Sequence, residues 1–71
     1  MEKNTIYDLK QILDAIQRLE ESDSPIGFEY CVYEMPQKDC EDICIILQKL
    51  GYNATIGHRL GSESTITVMK E

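Results

Sequence analysis

Apolar and polar positions alternate in two rhythms along these 71 residues, and each change of rhythm marks an element. From Thr5 to Glu21 the apolar residues Ile6, Leu9, Ile12, Leu13, Ile16 and Leu19 recur at steps of mostly three and four. That spacing lays one apolar stripe along a helix. Asn4 or Thr5 is the expected cap of its first turn, and Asp8 stands three after Thr5 in the manner of a capping box. The Leu9, Ile12, Ile16, Leu19 series also matches a coiled-coil seam, but sustained heptads are missing, so the stripe is assigned to the chain's own core. Glu20 to Pro25 is polar, ends in proline and reads as a surface connection.

The rhythm then shortens to two. In Gly27 to Met35, Phe28, Tyr30 and Val32 point one way, and Glu29, Cys31, Tyr33 and Met35 point the other, as in a strand rich in aromatic residues. The stretch from Pro36 to Tyr52 is the best-specified part of the chain. Pro36 suits a first helical position, Asp39, Glu41 and Asp42 favour the positive end of a helix dipole, and Gly51 is a left-handed stop. Cys40, Ile43, Ile46, Leu47 and Leu50 share its inner face, with Cys44 at the margin. Ile45 falls outside that stripe, among Lys38, Asp42 and Lys49. Two further alternating runs, Asn53 to Arg59 and Ser64 to Lys70, flank a glycine-containing connection over Leu60 to Glu63, the signature of a hairpin.

These elements predict a single α+β domain spanning residues 1–71, in the order helix, strand, helix, strand, strand. A strand–helix–strand unit makes its two strands parallel through a right-handed crossover. The last strand lacks proline and glycine, which suits a central position, so the predicted spatial order is first, third, second. Both helices are expected on one face of this small mixed or antiparallel sheet. The opposite face then carries Glu29, Cys31, Tyr33, Thr55, Arg59, Thr65, Thr67 and Met69. The helix, Gly51-Tyr52, strand succession resembles endings found in many small α/β proteins, which speaks to fold and carries no activity.

Size and charge narrow the functional classes. A chain this short buries only about 60 per cent of its unfolded surface, leaving little room for an enclosed cavity beside a core. The formal charge is −6, and the seven basic side chains are scattered singly, so direct nucleic-acid or membrane-surface binding is not expected. No apolar run approaches a membrane span or a signal segment, and a cytoplasmic location with reduced thiols at Cys31, Cys40 and Cys44 is the expectation.

Candidate chemistry is sparse. His58 is the sole histidine, and the serines stand in connections or at a strand edge, so no nucleophile–base pair is implied and no catalytic residue is assigned. His58 itself is expected to be partly buried at the inner edge of the hairpin. Cys40 and Cys44 share a helix face and, with Cys31 or His58, offer a tetrahedral set, but they lie inside the apolar stripe rather than on knuckle turns. Core packing is therefore the expected role, with no metal and no cofactor.

The expectation is a non-enzymatic, acidic protein-interaction module, binding a protein partner or itself through the uncovered sheet face. Accessory or inhibitory proteins of phages and mobile elements are the context considered. The residues assigned to binding are Tyr33, Arg59, Thr65, Thr67 and Met69, with Ile45 as a contact on the helix. The alternatives are a metal- or thiol-dependent domain using Cys40 and Cys44, and an acidic decoy of a nucleic-acid-binding protein built on Glu20, Glu21, Asp23, Glu34, Asp39, Glu41 and Asp42.

Overall fold

The computed structural model describes residues 2–22, 26–58 and 61–70. Its elements are α1 (Lys3–Glu20), β1 (Gly27–Tyr33), α2 (Gln37–Lys49), β2 (Tyr52–His58) and β3 (Glu63–Lys70), in the predicted order. The sheet order is β1-β3-β2. β3 runs antiparallel to both neighbours, so β1 and β2 are parallel to each other across it. Ile66 and Val68, on this central strand, have no exposed surface.

Both helices pack on the same side. Ile12 and Ile16 of α1 join Cys40, Ile43, Cys44 and Leu47 of α2 over Val32, Ala54, Ile66 and Val68, in one apolar cluster drawing on all five elements. Each fully buried aliphatic side chain there is worth roughly 1.5–3 kcal/mol of transfer free energy. Helix α1 lies against β1, while α2 covers β2 and reaches β3.

The start of α1 departs from expectation. The helix begins at Lys3 behind Glu2, and no side chain caps it. Thr5 is instead buried, and its hydroxyl donates to Asp39 Oδ2 at 2.7 Å. The predicted stripe shifts accordingly: Ile12, Ile16 and Leu19 are buried, whereas Ile6 and Leu13 stay exposed. Rotating the helix to deliver Thr5 to Asp39 turns Ile6 outward.

Two further hydroxyls fasten α1 to the sheet. Tyr30 donates to Asp8 Oδ1 at 2.9 Å, and Tyr52 donates to Glu20. Asp8 thus holds a strand rather than completing a capping box. The Asp14–Arg18 pair on the outer face of α1 is exposed and contributes little.

Three boundaries need correction. β1 ends at Tyr33, because Glu34 adopts φ 54° and breaks the alternation. Met35, expected on the uncovered face, therefore packs against the core. Pro36 stands one residue ahead of α2 with an extended backbone, its carbonyl accepting from the amides of Asp39 and Cys40. Gly51 does stop α2, at φ 96°, but Leu50 lies beyond the last helical residue and is exposed.

Candidate protein-binding face

The uncovered face follows from strand parity and register. With Phe28, Tyr30 and Val32 turned to the helices, Gly27, Glu29, Cys31 and Tyr33 turn away. The ladders place Gly27, Met69 and Asn53 in one row across the sheet, then Glu29, Thr67 and Thr55, then Cys31, Thr65 and Gly57. Tyr33 and Glu63 close the far end. Tyr33 and Met69 thus lie at opposite ends, six positions apart along β3 and about 20 Å distant, too far for one pocket.

Two glycines shape this surface. A Cβ on Gly57 would fall 2.7 Å from Thr65 Oγ1, so Thr65 fills the space a side chain would need. Thr65 is consequently buried although no helix covers it. A Cβ on Gly27 would fall 2.5 Å from Met69 Sδ and 2.4 Å from the Val68 carbonyl oxygen, so Met69 lies over Gly27. Between them runs the row of Thr55 and Thr67, β-branched residues that suit a pleated surface, Thr55 exposed and Thr67 half-buried. Asn53, Thr55 and Tyr33 are exposed, the last at 66 per cent.

The residues assigned from sequence therefore divide. Tyr33, Thr65, Thr67 and Met69 share the uncovered face, with Thr65 sunk into it. Ile45 is exposed on α2, on the other side of the sheet, and Arg59 lies outside the described residues. Asn53 shares this face, and its spacing of two from Thr55 is the sequence pattern that marks it.

The other chemical candidates sit elsewhere. Cys40 and Cys44 are buried in the core, and burial pushes both thiols up, so neither is poised as a thiolate. Cys31 is exposed on the opposite side of the sheet. His58, expected to be partly buried, is exposed at the end of β2, where the hairpin begins. Among the described residues no three His, Cys, Asp or Glu side chains come together to hold a metal ion. Among the described acidic residues, Asp39 and Glu20 stand far apart. The Thr5–Asp39 bond sets the start of α2 beside the start of α1, so Glu20 lies about 23 Å away at the far end of that helix. Among the described residues no helix is long and apolar enough to cross a membrane.

Compared with protein-family models, curated proteins and solved structures, the chain matches none.

Proposed function

We propose that this chain is a small non-enzymatic protein-interaction module that binds a partner protein through the uncovered face of its sheet. The observation carrying this reading is the one-sided packing: both helices cover one face and leave a stiff, threonine-rich surface with exposed Tyr33 at its end. Tyrosine and methionine are enriched at interfaces, and a sheet holds such groups with little entropy left to lose. Three strands paired over seven positions span about 14 by 24 Å, or roughly 340 Å², against about 800 Å² per partner in a standard interface. The face alone thus suits a weak or transient contact. The acidic surface, at net −6, favours a partner with a basic patch.

The test is capture of a partner by the purified protein, repeated with Tyr33→Ala, Thr67→Lys and Arg59→Ala. Capture weakened by Tyr33→Ala and Thr67→Lys, with unchanged melting temperature, supports this reading. Capture untouched by all three refutes the choice of face. A short, acidic, motif-free chain of this kind fits an accessory or inhibitory protein of a phage or mobile element.

A further inference from the structure

We infer that a second copy of this chain docks on the free edge of β2, joining the two sheets into one of six strands. The backbone carries the first part of the argument. The Lys70 amide donates to the Ile26 carbonyl and the Glu34 amide to the Ser62 carbonyl, so even-numbered residues of β3 bond towards β1. Odd-numbered residues of β3 must then bond towards β2, where they oppose Asn53, Thr55 and Gly57. The amides and carbonyls of Ala54, Ile56 and His58 therefore point away from the sheet. Gln48 Nε2 reaches the Ala54 carbonyl at a long 3.3 Å, which confirms that outward direction.

An edge of this kind is ordinarily blunted by charge, proline or a bulge. The sequence of β2, YNATIGH, carries no acidic residue, lysine, arginine or proline. Beside this edge runs an open groove of about 450 Å³ between α2 and β2, lined by Glu41, Ile45, Gln48, Ala54 and Ile56. Ile45, the exposed isoleucine of α2, stands over it at 49 per cent exposure.

Self-complementarity identifies the occupant. A two-fold axis perpendicular to the sheet beside Thr55 sets Ala54 opposite the second copy's Ile56, with both backbone bonds of the pair made and repeated by symmetry. Gln48 then releases the Ala54 carbonyl to a better-aligned amide. Because α2 lies over β2 and reaches towards β3, the same axis brings the two copies of α2 side by side and antiparallel across the new seam. Ile45 meets its own symmetry mate. Four residues to either side, Glu41 of one copy faces Lys49 of the other, and the pairing occurs twice. Opposed helix dipoles add to this. The assembly also sets both uncovered faces side by side, doubling that surface to roughly 700 Å², close to one side of a standard interface.

Purified protein alone suffices as the test, so its result is independent of any partner on the uncovered face. Sedimentation from about 1 µM to 1 mM should show a monomer–dimer equilibrium. Glu41→Lys and Lys49→Glu should each weaken it roughly three- to thirtyfold, and the double exchange should restore it. Ile45→Glu should weaken it more than about tenfold. Exchange of the Ile56 amide should slow as concentration rises. A monomer throughout that range overturns the inference. So does a dimer indifferent to these substitutions, a double exchange no better than the single ones, or an Ile56 amide that exchanges equally fast in monomer and dimer.

Discussion

Replacing Thr5 by valine removes one hydroxyl and almost no volume, which makes it a clean probe of the contact orienting α1. Asp39 is 8 per cent exposed, and its Oδ2 accepts from the Thr5 hydroxyl at 2.7 Å and from the Glu2 amide at a long 3.5 Å. Hydrogen bonds to a charged acceptor contribute about 1.5–3 kcal/mol, and an under-satisfied buried carboxylate costs its desolvation as well. Valine and threonine have similar helix propensity, and the shape match leaves no cavity to correct for. The expected loss is about 2 kcal/mol, a substantial part of the roughly 4–11 kcal/mol available to a domain of this length. Thermal melting followed by circular dichroism should fall by about 8–16 °C. With Asp39→Ala as background the same substitution should be neutral or slightly stabilising, because the hydroxyl has then lost its acceptor. A loss within about 0.5 kcal/mol in the native background, or an equal loss in both backgrounds, would refute the assignment.

Three other outcomes follow from the same structure. Burial, reinforced by the hydrogen bond to Asp8, pushes the Tyr30 phenol from 10.0 up to about 12. The folded state therefore holds that proton more tightly than the unfolded chain, so its contribution is complete below pH 10 and is lost between pH 10 and 12. Urea titrations across that window should show a fall of roughly 1–2 kcal/mol, discounted for a partly exposed ring, that is absent in Tyr30→Phe. Gly57→Ala should destabilise by about 1 kcal/mol as Thr65 is displaced, and adding Thr65→Ala should recover part of the loss; simple additivity in urea melts would contradict that contact. Of the cysteines, Cys31 alone should react rapidly with a thiol reagent in the native state, with Cys40 and Cys44 following at the unfolding rate; fast native reaction of either would remove them from the core.

The topology was legible because each element carried its own period, and because Ser64 to Lys70 lacks any residue that resists two-sided pairing. What stayed hidden depended on pairs distant in sequence. Thr5 looked like a cap because its acceptor, Asp39, is 34 residues away. Met35 was assigned to the uncovered face because alternation carries no sign of the left-handed Glu34 that ends it. Thr65 faces away from the helices, as parity required, yet its burial depends on a glycine in the neighbouring strand. Ile45 was visible as an apolar residue out of place and the predicted strand order already left β2 at an edge, but the groove between them appears only with the packing of α2 on β2.

The most direct measurement is the NMR shift of side-chain methyl and ring protons in the protein, free and bound to a captured partner. Shifts centred on the Thr55 and Thr67 methyls and the Tyr33 ring, with binding weakened by Thr67→Lys, are the predicted result. Shifts confined to side chains on the outer faces of α1 and α2, with those groups unchanged, would contradict it.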